Sequence, residues 1–257
     1  RASGATLTLA LASNLPDADI VSAWWGSGSY LEHHRGISHA FAASPFLAAG
    51  LALLLSLGWR RFVPTFLIAW LGVVVHIVSD LWTSYGTRAL LPFDATWYSW
   101  DWIFIADPVL LVLLLFACFG SRWFRSVHAN RLAISLVIGY VASQAGLHRM
   151  AEGEAQRLAG SRFTTVRVLP APFSPNKWRF LASNETTFAT GYVEAIGSSR
   201  SKATFPRVPL DARARRVAGE SRSARVFLDF SAFPRFETHL EGDLQVFAWR
   251  DLRFSGG

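Results

Sequence analysis

The stretch FVPTFLIAWLGVVVHIVSD, residues 62–80, joins an apolar segment to a histidine and an aspartate at its end. The segment Phe62–Ser79 has the length that an α-helix needs to cross the hydrocarbon layer of a bilayer, about 17–25 residues. On such a helix, His76 and Asp80 lie one turn apart on the same face, because residues spaced four apart stack along a helix. The stretch therefore predicts a membrane helix with two ionisable groups at one end.

The composition agrees with a membrane protein. Of 257 residues, 51% are hydrophobic and only 17% are charged, which is unusual for a soluble domain. Three further apolar segments approach the length of a membrane span: Ala40–Gly58, Trp102–Gly120 and Leu132–Leu147. A shorter segment, ASGATLTLALAS after Arg1, is predicted to be the remainder of a first helix. We therefore expect residues 1–150 to form an α-helical integral membrane bundle of about five transmembrane helices, the first of them truncated.

The composition changes after about residue 150. Short alternating stretches, among them FTTVRVL, KWRFLAS, TTFATGYVEAI, RVFLDF and LQVFAW, lie between clusters of proline, glycine and serine. Such alternation is typical of half-buried strands. The Arg-rich segment 197–223 is predicted to be a long exposed loop. Residues 151–257 are thus expected to form a small β-rich domain outside the membrane, because strands this few and short cannot close a membrane barrel. The single cysteine, Cys118, excludes a disulfide framework.

The net charge of +7 raises the question of nucleic-acid binding. The arginines are scattered over predicted loops and membrane flanks, and the sequence shows no pattern of a nucleic-acid-binding fold. No nucleic-acid partner is therefore expected.

Polar clusters flank the predicted helices at one membrane face. Consecutive helices alternate in direction, so NLPDADI, HHRGISH, the end of HIVSD and the segment WYSWDW all arrive at the same side. Imidazole nitrogens and carboxylate oxygens together suit zinc, and also iron or manganese. Ionisable groups at a membrane boundary are costly to desolvate unless they are paired or coordinated. The sequence thus predicts a metal site built from groups at these positions: Asp17, Asp19, His33, His34, His39, His76 and Asp80.

Each part of this cluster has a structural alternative. A histidine near a helix end often makes only an interfacial hydrogen bond, and the pair HxxxD alone is weak evidence of a metal site. LPDAD could form a turn with an Asx cap, and HHRG could be a polar loop against lipid headgroups. Asp107 precedes Pro108, a pattern that is also typical of a helix N-terminus. The predicted convergence of all these groups on one face favours a metal site.

The motifs in this order resemble a known family. LPDAD, HHRGISHA, HIVSDLWTSYGTRALLPF and WDWIFIADP are together similar to the motifs of the YdjM-type membrane-bound metal-dependent hydrolases. These are bacterial inner-membrane proteins with a distant similarity to zinc-dependent phospholipase C. The resemblance covers residues 1–110 and, more loosely, the helices up to 150. It implies one or two divalent transition-metal ions, with zinc favoured. The metal ligands that it implies are Asp17, His34, His39, His76 and Asp80.

The resemblance also implies an activity. The metal would activate water against a phosphoester, and Arg35 would hold the phosphate. Asp19, Asp101 or Asp107 would orient ligand imidazoles or act as a general base. Because the site is expected at the membrane surface, the substrate would be a membrane lipid or a lipid-linked phosphoester. Two alternatives stay open: a non-catalytic scaffold or accessory subunit with a structural or vestigial metal site, and a proton-carrying transporter.

Basic residues predict the orientation in the bacterial inner membrane. Arg60 and Arg61 end the second predicted helix, and short loops rich in arginine are usually cytoplasmic. Arg122, Arg125 and Arg131 occupy the other such loop. The metal cluster and, after a fifth crossing, the C-terminal domain are then expected on the extracytoplasmic side. There the β-rich domain would cover the site or bind a protein partner.

Overall fold

The computed structural model describes residues 2–56, 59–124, 127–197, 200–207 and 212–255. In chain order its α-helices are α1 (Ala2–Ala12), α2 (Ser27–His33), α3 (Ser44–Leu55), α4 (Trp59–Leu81), α5 (Pro108–Phe124), α6 (Val127–Ala159), α7 (Ala212–Glu220) and α8 (Arg222–Phe230). Two 3₁₀ helices, Pro16–Trp25 and Ile37–His39, flank α2. The strands are β1 (Thr165–Pro170), β2 (Lys177–Ser183), β3 (Thr187–Glu194), β4 (Arg200–Pro206), β5 (Pro234–Glu241) and β6 (Leu244–Asp251).

The chain folds into two compact units that are interleaved in sequence. The first unit contains residues 1–100 and 212–231, and the second contains residues 101–211 and 232–257. Helices α7 and α8 therefore belong to the first unit, although in sequence they lie between strands of the second. The predicted division of the chain at residue 150, which rests on composition, stays a prediction.

Helix α4 is the central element of the first unit, since α1 and α3 both pack against it. The core around it consists of Ala12, Ala48, Ala69, Val73, Ile77, Leu81 and Ala89. Four of these are alanines, whose small side chains let helices approach each other closely. A close contact lies at Gly72, where an added Cβ would be 2.8 Å from Ala12 Cβ. This packing fixes the C-terminal end of α4, which carries His76 and Asp80.

The second unit is built around a four-stranded antiparallel sheet with the order β1-β2-β3-β4. The C-terminal part of α6 packs on this sheet through alanines spaced four apart, Ala151, Ala155 and Ala159, against Trp178 and Phe180. Strands β5 and β6 form a separate antiparallel hairpin. Helix α5 packs against α6. The second unit thus contains the helix pair α5 and α6, the four-stranded sheet and the hairpin of β5 and β6.

The prediction of a five-span membrane bundle is wrong. Among the described residues, one helical segment, Arg61–Leu81, is long and apolar enough to cross a membrane. The pair Ser27–His39 and Ser44–Leu55 meets the same criteria only when taken together, with a bend of 82° between its parts. The apolar part of α5, Pro108–Phe119, is shorter than a span. The predicted span Leu132–Leu147 is only part of α6, which continues into a polar half.

The error arises because the length of an apolar run was taken as the length of a helix. The predicted span Ala40–Gly58 contains α3, which has only 12 residues. At 1.5 Å per residue this helix is about 18 Å long, whereas the hydrocarbon core of a bilayer is about 30 Å thick. The apolar residues before α3 belong to turns, so they add no helical length.

In the C-terminal part the strand prediction is confirmed for β1, β2, β3 and β6. It is wrong for RVFLDF, which lies in α8, where Ser221 caps the helix by accepting a hydrogen bond from the N–H of Ala224. The predicted exposed loop at 197–223 is also wrong, since it contains β4 and α7. Residues 198–199 and 208–211 of that segment lie outside the described residues.

A pair of glycine substitutions tests the packing of α1 on α4. We expect Gly72→Ala to destabilise the protein by about 1–3 kcal/mol, because the new methyl group would overpack the contact with Ala12. Gly50→Ala in α3 is the matched control, since a Cβ there meets nothing within 4 Å. It should be neutral or stabilising by up to about 1 kcal/mol through helix propensity. Thermal unfolding in detergent, followed by circular dichroism, measures both. Equal effects of the two substitutions would contradict this packing.

Candidate metal centre

Two carboxylates of the candidate centre come from the 3₁₀ helix Pro16–Trp25. Pro16 stands in its first turn, where its fixed φ is suitable and its missing N–H has no helical partner to lose. Asp17 and Asp19 follow in the same turn. They are two positions apart on a helix with three residues per turn, so their side chains diverge. Each carboxylate therefore contacts a different set of imidazole atoms.

The turn after α2 places two imidazoles. The helix ends at His33, and Arg35 adopts a left-handed backbone conformation with φ 58°. The N–H of Gly36 then donates to His33 O over 2.9 Å. A Cβ at Gly36 would lie 2.8 Å from that oxygen, so only glycine fits here without a shift. The reversal brings the rings of His34 and His39 to a centroid distance of 5.6 Å.

The Nε2 atoms of His39 and His76 form the middle of the cluster and are 3.2 Å apart. Asp17 Oδ1 lies 3.3 Å from His39 Nε2 and 3.5 Å from His76 Nε2. Asp80 Oδ2 lies at the same two distances from these nitrogens. Each carboxylate oxygen thus forms a nearly equilateral triangle with the two imidazole nitrogens.

The protonation of His39 follows from its other ring nitrogen. His39 Nδ1 is 3.0 Å from Ser38 Oγ and 3.3 Å from Asp19 Oδ2. The Ser38 hydroxyl already donates to Asp19 Oδ2 over 2.5 Å, so its oxygen accepts a hydrogen bond from the N–H at His39 Nδ1. In the neutral imidazole this leaves His39 Nε2 as an acceptor. It therefore faces two carboxylate oxygens with its lone pair.

A cation satisfies this arrangement of acceptors, either as a metal ion or as a proton on an imidazole. Asp80 Oδ2 is buried, and among the described residues it has no hydrogen-bond donor. Ligand atoms bound about 2.0–2.1 Å from a tetrahedral zinc ion lie about 3.3–3.4 Å apart. The distances among Asp17 Oδ1, His39 Nε2 and His76 Nε2 match that spacing. The donor set and the geometry therefore fit a transition metal.

Asp19 is placed to orient the imidazoles. Its Oδ1 accepts a hydrogen bond from His34 Nδ1 over 2.7 Å, and its Oδ2 accepts one from the backbone N–H of Arg35 over 3.2 Å. Together with the contact to His39 Nδ1, these bonds turn the Nε2 atoms of both rings away from Asp19. A carboxylate that holds the second nitrogen of a ligand histidine is a common feature of metal sites.

The histidines hold both carboxylates of the 3₁₀ helix in the ionised form. When their Nε2 atoms carry a proton, His39 and His76 donate hydrogen bonds to Asp17 and lower its pKa far below its usual range. Burial alone would raise the pKa of Asp19, but hydrogen bonds from His34, His39 and Ser38 outweigh this effect. The pKa of Asp19 is therefore also well below its usual range. Ionised carboxylates are the form that binds a metal ion.

Arg35 supports the carboxylate at the end of α4. Its Nη2 donates to Asp80 Oδ1 over 2.8 Å, and its Nη1 donates to Thr83 Oγ1 over 3.0 Å. The guanidinium also lies over the ring of Tyr85, 4.9 Å from the centroid. Only 7% of Arg35 is exposed. The structure thus shows Arg35 engaged with Asp80, and its predicted role as a phosphate clamp stays a prediction.

The structure brings most of the predicted site residues together. Asp17, His39 and His76 form one group of possible ligands, and Asp17, Asp19 and His34 form a second that shares Asp17. His33 stays apart from both, because its Nδ1 bonds to the carbonyl oxygen of Ser29 in the preceding helical turn. The assignment of ligands among the clustered residues remains a prediction.

Two predicted residues belong to the second unit and have partners there. Asp101 accepts hydrogen bonds from Arg167 Nε and Nη2 over 2.6 and 2.9 Å. Asp107 accepts from the N–H of Leu110 over 2.8 Å, which caps α5, and from the Tyr140 hydroxyl over 2.8 Å. These contacts suit structural roles, and the catalytic roles of Asp101 and Asp107 stay predictions.

Three aromatic or hydroxyl residues of the cluster had not been identified from the sequence. Tyr30 stacks on His34 with a centroid distance of 4.6 Å, and its position four residues before His34 on one helix was a usable signal. Thr83 and Tyr85 contact Arg35. They lie within the motif after Asp80, but nothing in their spacing indicates which residue they contact.

Comparison with known proteins identifies the family. The chain is 25% identical over 248 residues to the uncharacterized protein YfhP of Bacillus subtilis (strain 168), a match that covers 94% of this chain and 75% of that protein. The chain shows no significant match to a solved structure. The family model described as YdjM inner membrane protein matches residues 1–149. With more than half of its length matched, the chain belongs to the YdjM inner membrane protein family.

Proposed function

We propose that this inner-membrane protein is a metal-dependent hydrolase that acts on a phosphoester of a lipid or lipid-linked substrate. The observation that carries the proposal is the pair of triangles in which Asp17 Oδ1 and Asp80 Oδ2 each lie 3.3–3.5 Å from the Nε2 atoms of His39 and His76. An unpaired buried carboxylate oxygen within this set calls for a cation.

The metal would be held by Asp17, His39 and His76, with Asp80 as a further ligand. Mixed nitrogen and oxygen ligands favour zinc over magnesium or calcium. When bound, a divalent transition metal supplies Lewis acidity, which activates water and withdraws charge from a phosphoester. His34 and Asp17 would contribute to a second ion, since they form the second group of possible ligands with Asp19.

The residues around the proposed ligands hold them in position. Asp19 accepts a hydrogen bond from His34 Nδ1 and lies 3.3 Å from His39 Nδ1, which fixes the direction of both rings. Arg35 holds Asp80 Oδ1 and so directs Oδ2 towards the imidazoles. Asp17 is half exposed, so it is the ligand candidate that solvent or a substrate can approach.

The surroundings of the centre favour a lipid substrate. Helix α4 carries a stripe of exposed apolar residues spaced four apart, Val63, Leu67, Leu71 and Val75, which suits contact with acyl chains. Trp24 and Trp25 are 83% and 73% exposed on the same 3₁₀ helix that supplies Asp17. Tryptophan is enriched where a membrane meets water. A site beside such residues would meet headgroups rather than dissolved metabolites.

A non-catalytic scaffold is the second candidate function, and one observation favours it. The guanidinium of Arg35 is buried and donates to Asp80 and Thr83, so it holds the cluster together in the manner of a structural site. In that case the metal would stabilise the end of α4, and the C-terminal strands would bind a protein partner.

We also propose that the centre faces the extracytoplasmic side. The proposal needs only α4: Arg60 and Arg61 lie at its N-terminal end, and His76 and Asp80 at its C-terminal end. The positive-inside bias places the arginine end in the cytoplasm. Arg125, one of the other arginines used to predict the orientation, lies outside the described residues.

The first test of the proposal is metal content. We expect the detergent-purified protein to contain a transition metal, with zinc first, and His76→Ala or Asp80→Ala to remove most of it. His33→Ala is the matched control, because this neighbouring histidine bonds to Ser29 O and not to the cluster. Elemental analysis measures the metal per chain. Full occupancy in both cluster variants would show that the metal is bound elsewhere and that these residues do not hold it.

The second test is turnover. We expect the protein to release a phosphate-containing product from a phospholipid mixture in detergent micelles, and a chelator to stop the release. Asp19→Asn should lower activity by about 10–100-fold, the range typical of residues that orient metal ligands. Asp94→Asn is the control, since Asp94 bonds to Thr96 and Tyr98 in the loop after α4. Mass spectrometry of the lipid products measures the reaction.

The scaffold function predicts a different outcome of the turnover test. It expects metal at full occupancy, no turnover of any lipid in an extract of the native membrane, and a partner that co-purifies at a fixed ratio. Those three results together would replace the hydrolase proposal.

Cysteine labelling tests the orientation of α4. In a Cys118→Ser background, single cysteines are placed at Ala95, in the loop after α4, and at Ser56, just before it. A membrane-impermeant maleimide applied to intact cells should label position 95 and spare position 56. Position 56 should become reactive once the cells are broken open. Labelling of position 56 alone in intact cells would reverse the assignment.

A further inference from the structure

Helix α8 belongs to the first unit, although in sequence α7 and α8 lie between strands of the second unit. It lies against α2 and contacts the segment that follows α4. One face of the helix is buried at Ala224 and Phe230, and the other face carries exposed charged residues, among them Arg222 and Arg225. A helix with this polarity is stabilised by the surface on which it docks.

The C-terminal end of α8 is held by aromatic and charged contacts. Phe230 is 6% exposed, and its ring lies 4.9 Å from the ring of Tyr85 and 5.2 Å from that of Trp97. The neighbouring Asp229 pairs with Arg88 and accepts a hydrogen bond from Trp97 Nε1 over 3.3 Å. The guanidinium of Arg88 in turn lies over the Trp97 ring. The last two residues of α8 are thus both held by side chains of the segment after α4.

The N-terminal end of α8 is held at α2. Arg222 Nη2 donates to Glu32 Oε2 over 2.5 Å, a largely exposed pair that adds little stability alone. Ser223 Oγ lies 3.6 Å from the point where a Cβ of Gly28 would stand. Helix α8 therefore runs beside α2, the helix that leads into His34.

Tyr85 links α8 to the metal centre. One side of the Tyr85 ring packs against the Phe230 ring. The ring also lies 4.9 Å from the guanidinium carbon of Arg35 and 5.8 Å from the ring of His34, in an edge-on arrangement. Arg35 holds Asp80 and His34 is held by Asp19, so Tyr85 contacts the two residues through which these carboxylates are fixed.

We propose that α8 is a clamp for the metal centre: docked Phe230 holds Tyr85 against Arg35 and His34, and thereby fixes the ligand geometry at Asp80 and His34. Tyr85, Asp229 and Phe230 are positioning residues in this inference, since none of them has a ligand atom in the cluster. The inference rests on the proposed metal function. It assigns to a segment outside the family-matched residues 1–149 a role in assembling the centre within them.

The test measures metal binding in substituted full-length protein. We expect Phe230→Ala and Asp229→Asn each to weaken zinc binding about tenfold, at the lower end of the range for residues outside the ligand shell. Tyr85→Phe should keep the affinity, because the ring contacts remain, and Tyr85→Leu should lower it. Arg225→Ala is the control on α8, since Arg225 is exposed and bonds to Gly219 O. Competition with a chromophoric chelator gives the affinities.

A spectroscopic measurement separates positioning from general destabilisation. Cobalt(II) absorbs strongly in four-coordinate sites and weakly in six-coordinate sites. We expect Phe230→Ala to lose visible absorption at saturating cobalt, while the thermal midpoint of the loaded protein confirms that the chain is folded. An unchanged cobalt spectrum and unchanged zinc affinity in both Phe230→Ala and Asp229→Asn would overturn the clamp.

A disulfide provides the rescue. In a Cys118→Ser background, Gly28→Cys and Ser223→Cys place two thiols where the contact between α2 and α8 is close. Oxidation should restore zinc affinity to the Asp229→Asn protein, which keeps the Phe230 ring, and a phosphine reductant should abolish the gain. Failure of the rescue with the disulfide formed would count against the clamp. If the unsubstituted protein binds no zinc, the proposed function fails and the inference with it; zinc binding that is insensitive to α8 overturns the inference alone.

Discussion

The convergence of three carboxylates and three imidazoles on the C-terminal end of α4 is the constraint on which the first unit depends. Buried ionisable groups are costly unless each has a partner of opposite charge or a hydrogen bond. Asp19 accepts hydrogen bonds from His34 and Ser38. Asp80 is paired with Arg35 through one of its two oxygens, Oδ1. The remaining oxygen of Asp80 and the Nε2 atom of His39 face each other as acceptors. When His39 is neutral, a proton or a metal ion would satisfy these two acceptors.

The parts of the centre that could be predicted from the sequence are those fixed by local geometry. His76 and Asp80 are spaced four apart on a helix, which puts both on one face whatever surrounds the helix. Gly36 follows Arg35 in a turn that excludes a side chain, so HHRGISH predicts a tight reversal between two histidines. The structure brings NLPDADI, HHRGISH and the end of HIVSD together, although their convergence was predicted from five crossings that the described residues do not form.

The parts that could not be predicted depend on helix ends and on distant contacts. Apolar composition continues through the turn before α3, so the run at 40–58 looks like a membrane span although its helix stops at 12 residues. RVFLDF alternates like a strand, yet its cap at Ser221 and its burial against the first unit make it helical. The contact between Tyr85 and Phe230 joins positions far apart in sequence, and no local pattern indicates it.

The contact between Arg35 and Asp80 has different consequences for the two proposed functions of this centre. Its left-handed backbone is imposed by the turn, and its guanidinium is then committed to Asp80, Thr83 and the Tyr85 ring. A phosphate that reached this guanidinium would compete with Asp80, and the freed carboxylate would have to be compensated by the cation alone. Substrate binding at Arg35 and tight holding of Asp80 are therefore opposed. A catalytic centre would relax this contact during turnover, whereas a structural one would keep it permanently.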